Sequence, residues 1–377
     1  MKVVIAPDSF KESLTAKQVS EAIKVGLSRV WRDAEFVTLP VADGGEGTVQ
    51  SLIDATEGEQ VFVTVKGPLG NDVKAFYGIL GDGETAVIEM AEASGLHLVP
   101  SDLRDPKNTS SFGTGQLISN ALDRGIQRLI IGLGGSATND GGTGMLAALG
   151  VKFLDSAGQP ITPNGGGLVE LASIDVSGLD ARLADCEVLV ACDVDNPLCG
   201  EKGASAIFGP QKGATSADVE LLDSALNKFG ELTEQVTGKH VLTQKGAGAA
   251  GGMGAALLGY LPARLKPGIE IVLDTVKLAE HVADADIVFT GEGRIDHQTV
   301  HGKTPMGVAK VVKEYGLPVI ALAGCTGDSF QAVYEYGIDA VFVCVPRAMS
   351  LPEAMEEADT NLVNLAENVA RLWQLPH

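Results

Sequence analysis

Residues 128–150 constrain the fold more than any other part of this sequence. Large apolar residues occupy positions 129–131 and, across Gly132, position 133, as is typical of a strand buried on both faces of a sheet. Four glycines follow between residues 134 and 142, and helix-like spacing resumes at 145–149. In a strand, glycine-rich loop and helix of this kind, backbone N–H groups and the positive helix end can face an anion, most often a phosphate.

The glycine-rich loop matches neither of the two common nucleotide-binding spacings. GxxxxGK[ST] is absent from it, and so is GxGxxG with a downstream acid. The glycines alone fit an anion site and a tight turn with positive φ equally well. Asn139 and Asp140 favour the binding site, because an amide and a carboxylate can hold a substrate hydroxyl or a metal. The candidate binding residues here are Gly134, Gly135, Ser136, Asn139, Asp140 and Gly141.

Composition limits the class of protein. A chain of 377 residues suits two domains or one large one, by a guide of ~100–200 residues per domain. Hydrophobic residues make up 45% and aromatics 5%, which favours an α/β core of Val, Ile, Leu and Ala. The net charge of −21 argues against nucleic acid or an anionic membrane as partner. No signal-like segment or membrane-length apolar run occurs, so we expect a cytoplasmic protein.

Cysteine and histidine spacing does not favour a disulfide framework or a zinc site. The five cysteines lack CxxC spacing, and the six histidines lack HxH and HExxH pairs. Burial as small hydrophobic residues is the simpler expectation for the cysteines.

The first two predicted strands, at residues 3–6 and 35–41, both end in polar loops that lead into helices. Ligands bind at the carboxyl ends of strands in open parallel sheets. The first loop offers Asp8, Ser9 and Lys11, although Lys11 could equally be a solvated side chain.

The second loop places Asp43 and Glu46 around glycines, where two carboxylates can share a divalent ion or accept a proton. Helix capping and the helix dipole are the alternative explanation of these two acids. Gly44 and Gly45 are candidate binding residues of the same loop.

The middle of the chain differs in texture from its two ends. Residues 58–98 alternate like hairpin strands, which marks a domain boundary near residue 58. A buried strand at 188–192 then ends on Asp193 and Asn196, although such residues before Pro are also ordinary turn formers. Lys212 lies between glycines, which suits an anionic group. A third glycine-rich loop, at 246–254, suits either a phosphate or the close packing of the next helix.

The last third returns to continuous apolar strands, at residues 287–290, 319–323 and 340–345. Such strands are typical of a parallel sheet covered on both faces, and with the first two they make five. We therefore predict an α/β fold. A Rossmann-like or flavodoxin-like parallel-sheet domain formed by both termini (1–57 and 263–377) carries a large inserted α/β domain with antiparallel strands (58–262).

The loop after residue 290 is the most densely charged candidate. Glu292 and Asp296 can bind Mg²⁺ or act as a base, and Arg294 and Lys303 can neutralise phosphate oxygens. A surface ion pair between Arg294 and Asp296 is the alternative.

Six motifs together resemble the glycerate kinase family of the bacterial, two-domain type, over essentially the whole chain. They are PDSFKESL (7–14), PVADGGEGT (40–48), GLGGSATNDGGTGM (132–145), ACDVDNPLCG (191–200), FGPQKGA (208–214) and TGEGRIDHQT (290–299). The resemblance implies phosphoryl transfer from ATP to D-glycerate with Mg²⁺. It favours the 2-hydroxyl and hence 2-phosphoglycerate.

Phosphoryl transfer needs positioning, charge neutralisation and a proton acceptor, and these needs suggest roles. The expected catalytic residues are Asp193, Lys11, Asp296 and Asp43, with Asp193 the first choice as base. The expected magnesium ligands are Asp193, Glu292 and Asp43. The expected substrate and phosphate contacts, besides the residues given above for the loops at 43–46 and 134–142, are Asp8, Ser9, Asn196, Lys212, Arg294 and Lys303. We expect the site in a cleft between the two domains, and a monomer or homodimer.

Several alternatives remain open at this point. One alternative is a kinase that forms 3-phosphoglycerate, and another is a kinase for a different small hydroxy acid. A nicotinamide-dependent dehydrogenase would show GxGxxG after its first strand, which this chain does not. A protein that only binds a carboxylate metabolite would have no use for so many carboxylates at strand ends. The sequence does not indicate which glycine-rich loop binds ATP and which binds glycerate.

Overall fold

The computed structural model describes residues 1–45 and 47–375. The chain divides into two compact units, which we call the terminal unit (Met1–Gly58 with Pro267–His377) and the inserted unit (Glu59–Lys266). None of the helices in the described residues has the combined length and apolar character needed to cross a lipid bilayer.

The first segment of the terminal unit contains β1 (Lys2–Ile5), α1 (Ala16–Ser28), β2 (Glu35–Thr38) and α2 (Thr48–Thr56). Helix α1 begins at a capping box, in which the Thr15 hydroxyl accepts from the N–H of Gln18 and the Gln18 side chain accepts in return. Strand β2 is shorter than the predicted 35–41, because it is the edge strand and pairs only with β1.

The inserted unit is built on one mixed sheet. Its strands are β3 (Glu59–Lys66), β4 (Asp72–Ile79), β5 (Thr85–Glu89), β6 (Arg128–Gly132), β7 (Lys152–Leu154), β8 (Ser173–Asp175), β9 (Glu187–Ala191) and β10 (Ala263–Lys266). Its helices are α3 (Ala91–Ser94), α4 (Phe112–Asp123), α5 (Thr143–Ala148), α6 (Ala204–Phe208), α7 (Ser216–Thr237) and α8 (Ala249–Tyr260).

The main sheet of this unit has the order β10-β9-β6-β5-β4-β3. Strands β3, β4 and β5 pair antiparallel, whereas β5, β6, β9 and β10 pair parallel, and β7 and β8 form a separate two-stranded sheet. The antiparallel strands predicted from residues 58–98 are therefore present. Residues 263–266 form β10 and pair with β9, so they lie in this sheet rather than in the terminal segment in which the sequence prediction placed them.

The second segment of the terminal unit contains, in order, α9 (Gly268–Thr275), α10 (Leu278–Val282), β11 (Ile287–Thr290), β12 (Arg294–Ile295), α11 (Thr304–Lys313), β13 (Val319–Ala323), β14 (Cys325–Thr326), β15 (Ala340–Val343), α12 (Leu351–Glu356) and α13 (Ala358–Trp373). Short 3-10 turns complete the described structure, at Leu96–Leu98, Ser101–Leu103, Gly167–Glu170, Ala181–Asp185, Pro210–Lys212 and Phe330–Tyr336.

The sheet of the terminal unit has the order β15-β13-β11-β1-β2, and all four pairings are parallel. Counted along this unit alone, the order is 2-1-3-4-5, which is the flavodoxin-like order. The three central strands β1, β11 and β13 are almost entirely buried, because helices cover both sides of the sheet; every residue of β11 and β13 is buried. The predicted fold class, a parallel-sheet domain from both termini with an α/β insertion, is confirmed.

Candidate active site

A pocket lies at the switch point of the terminal sheet, between β1 and its neighbour β11. In a 2-1-3-4-5 sheet the connections leave these two strands in opposite directions, and ligands bind in the crevice outside their carboxyl ends. The cavity measures about 440 Å³. Seven of the residues predicted from the sequence line it: Asp8, Ser9, Lys11, Asp43, Glu292, Arg294 and Lys303.

Asp8 leaves the end of β1 and is held from two sides. Its carboxylate accepts from the Thr304 hydroxyl at 2.6 Å and from the N–H of Ser9 at 2.6 Å. Burial raises the pKa of Asp8, the Thr304 bond lowers it, and the nearby charge of Asp43 raises it, so that the pKa is raised overall. Two carboxylates in mutual repulsion at a half-buried site would be stabilised by a cation.

Glu292 leaves the end of β11 and has both carboxylate oxygens engaged. Thr299 donates its hydroxyl to one oxygen at 2.6 Å, and Lys303 donates its ammonium to the other at 3.2 Å. Burial nevertheless raises the pKa of Glu292, to which the charge of Asp8 also contributes. The carboxylate is therefore fixed in orientation at the polar end of the pocket.

Arg294 and Asp296 form the ion pair that was the alternative interpretation of this loop. Arg294 Nε lies 3.1 Å from Asp296 Oδ2. Arg294 is largely exposed, lines the pocket and belongs to β12, which pairs with β14 and so holds the loops after β11 and β13 together. Asp296 is buried and accepts from the N–H of Gln298, and it is not among the pocket-lining residues. Its position favours holding Arg294 over direct catalysis.

The loop after β2 approaches the start of α9. Asp43 accepts from the N–H of Gly45 at 3.0 Å. Gly44 has φ +95° and its α-carbon lies so close to Gly268 that a methyl group there would stand 2.4 Å from the Gly268 α-carbon. Gly44 and Gly45 therefore shape the loop that presents Asp43. Glu46, the other predicted acid of this loop, lies outside the described residues.

The inserted unit brings together a second group of predicted residues, at the loop after β6. Lys212 is 2% exposed, and its ammonium donates to the Ser136 hydroxyl at 2.7 Å and to the carbonyl of Thr138 at 2.6 Å. Burial lowers the pKa of Lys212 to about 7, although the charge of Asp140 raises it. Gly134 and Gly135 stand exposed beside this pair, and a methyl group on Gly134 would meet open space.

Asp140 and Asn139 lie beneath that loop. Asp140 is fully buried, and its carboxylate accepts from the N–H and hydroxyl of Ser111 and from two N–H groups of the turn into α5. Four donors leave it little capacity for a substrate, so this geometry favours a structural role. Asn139 donates to the Ser205 hydroxyl at 2.9 Å, while its carbonyl oxygen is buried without a partner in the described residues.

The third glycine-rich loop supports the first one. The backbone carbonyl of Gly251 accepts a hydrogen bond from the N–H of Gly141. A methyl group on Gly251 would lie 2.0 Å from the carbonyl oxygen of Thr138. Residues 246–254 are buried throughout. Of the two interpretations left open for this loop, close packing is the one that the contacts favour, and Gly141 likewise faces Phe229.

Asp193 and Asn196 follow β9, the neighbour of β6. Asp193 is exposed, and Asn196 donates to the carbonyl of Lys202 at 2.8 Å. Strands β6 and β9 are parallel, so their carboxyl ends lie at the same edge of the sheet. Asp193 therefore shares this edge with residues 133–142, the loop after β6, which we call the Ser136 loop.

The predicted metal ligands belong to different units. Asp43 and Glu292 line the terminal-unit pocket, whereas Asp193 belongs to the inserted unit. Among residues 1–45 and 47–375, no three His, Cys, Asp or Glu side chains converge in a geometry suited to a metal ion.

Sequence reasoning missed the buried hydroxyls that orient the acids. Thr304 holds Asp8, Thr299 holds Glu292 and Ser111 holds Asp140. Thr304 had a readable signal, since it begins α11 directly before Pro305, a common first-turn residue. Ser111 had none, because it contacts a residue 29 positions away.

The fold and these sites define an α/β protein that gathers carboxylates and cations at the carboxyl edges of two sheets. The chain also matches known proteins along its length. The model of the glycerate kinase family matches residues 3–374. The chain is 57% identical over 370 residues to a glycerate kinase of Bacillus subtilis, which covers 98% of this chain and 97% of that one. It is 53% identical over 370 residues to glycerate 2-kinase of Escherichia coli, with the same coverage.

Solved structures agree with the sequence relatives. A crystal structure from Salmonella typhimurium LT2, of a chain assigned as glycerate kinase 2, superposes with a TM-score of 0.93 at 53% identity and covers 99% of this chain and 98% of that chain. This chain belongs to the glycerate kinase family.

Proposed function

We propose that this chain transfers the γ-phosphoryl group of ATP to the 2-hydroxyl of D-glycerate, giving 2-phosphoglycerate and ADP. The main support for this proposal is the pocket at the switch point of the terminal sheet, which is lined by three carboxylate and three cationic side chains. The match of the chain to the glycerate kinase family is the second support. The name of the Escherichia coli relative, glycerate 2-kinase, supports the 2-hydroxyl over the 3-hydroxyl.

The positively charged side chains of the pocket can neutralise the negative charge of the substrates. ATP and glycerate are both anions, and the chain carries a net charge of −21. Lys11, Arg294 and Lys303 all line the pocket and supply local positive charge against that background. Positioning and charge neutralisation are the main contributions that phosphoryl transfer requires of a protein.

The residues present fit a magnesium ion held jointly with phosphate oxygens. Mg²⁺ usually binds through one or two carboxylates together with substrate phosphates, so a cluster of three protein ligands is not required. Burial, with a smaller contribution from the charge of Asp43, raises the pKa of Asp8, and a cation bound beside the two carboxylates would favour their charged forms. We assign the ion to one or two of the three pocket carboxylates, Asp8, Asp43 and Glu292, where it would neutralise charge that develops on the phosphate oxygens.

The hydroxyl proton needs an acceptor, and Asp193 is our candidate. As the glycerate oxygen forms its bond to phosphorus and the bond to the β-phosphate oxygen breaks, the hydroxyl proton passes to the Asp193 carboxylate. Asp193 is exposed at the carboxyl edge of the inserted sheet, where a substrate can reach it. The Ser136 loop, held by Lys212, lies on the same edge and is our candidate to bind glycerate. The shared cleft implied by the family resemblance stays a prediction.

NMR of the reaction tests activity and regiochemistry together. Purified protein is incubated with MgATP and ¹³C-labelled D-glycerate, and ³¹P and ¹³C spectra are recorded. We expect a phosphomonoester signal coupled to C2. Coupling to C3 would keep the kinase and change the product, and folded protein that consumes no ATP with glycerate would contradict the proposal.

A further inference from the structure

We propose that the apolar end of the terminal-unit pocket binds the purine base of the nucleotide, so that the triphosphate lies over the charged end. This inference rests on the proposed kinase function and adds the nucleotide's place and direction, neither of which follows from the sequence motifs.

The pocket is polar at one end and apolar at the other. Asp8, Glu292 and Lys303 lie where β1 and β11 end. The part of the wall that follows β15 and continues through α12 to the start of α13 is formed by apolar side chains: Cys344, Val345, Leu351, Ala354, Met355 and Ala358. At about 440 Å³ the cavity is within the ~300–1,000 Å³ typical of ligand sites.

The apolar end discriminates between the two substrates. Glycerate carries a carboxylate and two hydroxyls on three carbons, so it has almost no apolar surface to bury. A purine is a flat, largely apolar ring system joined through ribose to a charged chain, and it matches a cavity that is apolar at one end and charged at the other. Leu351 lines the pocket and is 70% exposed, and covering such a side chain stabilises a complex by roughly 25 cal/mol per Å² of apolar surface.

The two ends of the pocket are connected by a direct bond. The Ser13 hydroxyl donates to the carbonyl of Met355 at 2.9 Å, which ties α12 to the loop that carries Asp8 and Lys11. Helix α12 itself is fixed at its start by a capping box between Ser350 and Glu353. The apolar wall and the charged groups are thus held in one arrangement within the terminal unit.

The first test uses the unmodified protein. Cys325 lines the pocket and is exposed, so a thiol reagent such as iodoacetamide should modify it. We expect MgATP to slow that modification about tenfold or more and D-glycerate to leave it unchanged, as measured by peptide mass spectrometry, because occupancy near saturation excludes the reagent. Free N-acetylcysteine, treated with the reagent in the same solution with and without MgATP, is the control. Equal rates at Cys325 with and without saturating MgATP would overturn the inference.

The second test places the base. Ala354 lines the pocket on α12, so Ala354→Phe fills the apolar end, whereas Glu356→Phe adds the same ring to an exposed position of the same helix. We expect Ala354→Phe to raise the Kd of MgATP about tenfold or more, and that of magnesium tripolyphosphate, which has no base, less than about twofold. Glu356→Phe should change neither. Met355→Ala provides a second variant if Ala354→Phe does not fold.

The outcomes separate this inference from the proposed function. If wild-type protein phosphorylates glycerate but Ala354→Phe and Met355→Ala both bind MgATP normally, the base lies elsewhere and the kinase assignment stands. If glycerate is not phosphorylated but Ala354→Phe loses MgATP selectively, the nucleotide site stands and the substrate is wrong. Equal loss of MgATP and tripolyphosphate would also overturn the placement of the base.

Discussion

Lys212 donates a hydrogen bond to Ser136 across 2.7 Å, and both side chains are buried in the inserted unit. The other acceptor of this ammonium, the carbonyl of Thr138, is also uncharged. Burial therefore outweighs the attraction of Asp140 and lowers the pKa of Lys212 to about 7. The loop that we assign to glycerate is thus held by hydrogen bonds from a lysine whose ammonium is easily deprotonated.

Replacing Lys212 by Met should change how stability depends on pH. An unfolded lysine has a pKa of ~10.4, so between about pH 7 and pH 10 the unfolded chain binds a proton that the folded chain does not. The free energy of unfolding due to Lys212 therefore rises with pH through that window and is constant below it. From pH 7 to pH 9 we expect wild type to gain about 2 kcal/mol over Lys212→Met, measured by urea unfolding. A constant difference would contradict the pKa of about 7, and exposed Lys202→Met is the control.

Asp193→Asn tests the assignment of the base. The change keeps the size of the side chain and removes its ability to accept a proton, so kcat should fall by about 10²–10⁴ with little change in KM. Asp195→Asn is the matched control, because Asp195 lies two positions away, is 80% exposed and pairs with Lys245 at 3.6 Å. A coupled ADP assay measures both. Near wild-type turnover by Asp193→Asn would remove it from the mechanism.

Glu292→Gln tests the proposed magnesium site. The amide can still accept from Thr299, but it loses the negative charge that faces Lys303 and the ion. We expect the Mg²⁺ concentration for half-maximal activity to rise about tenfold, as is typical when a ligand or its supporting shell is altered. Glu270→Gln is the control, since Glu270 is a largely exposed partner of Lys310 on α9. Lower activity with an unchanged Mg²⁺ requirement would make Glu292 a support for Lys303 only.

Two glycines of one loop allow strain and steric contact to be separated. Gly44 and Gly47 have φ +95° and +86°, but only Gly44 faces backbone, with Gly268 2.4 Å from where a methyl group would stand. Gly47→Ala should cost roughly 1–2 kcal/mol from the left-handed conformation alone. Gly44→Ala should cost clearly more, since the backbone of α9 must also shift. Thermal unfolding of both variants checks this, and equal costs would show that the contact is relieved without penalty.

The fold could be predicted from the sequence because most of its strands have a clear hydrophobic pattern. Residues 287–289 and 319–323 are apolar without interruption, which is typical of strands covered on both faces. The hairpin alternation of β3 and β4 likewise marked the insertion. The boundary before Pro267 was less readable, because β10 is amphipathic and short, and its partner β9 lies far away in the chain.

The candidate residues were readable as loop chemistry, but their burial was not. Asp140 and Asp193 are both acids that follow a buried strand, yet one is enclosed by four donors and the other is exposed. The difference comes from Ser111 and from the turn into α5, which are contacts that spacing along the chain does not reveal. The apolar wall of Met355 and Leu351 was missed for a similar reason, since α12 carries no motif.

The division of the terminal unit between the two ends of the chain sets an order for folding during synthesis. Strand β1 pairs with β11, and α1 packs along α13, so two elements made before the inserted unit find their partners only after it has been made. The inserted unit is continuous and has all of its strands once Lys266 has been made. Because domains generally fold as units during translation, the inserted unit can complete its core first, while β1 and α1 keep their apolar faces exposed until the C-terminal segment arrives. These two elements are thus the part of the nascent chain with the greatest need of a chaperone.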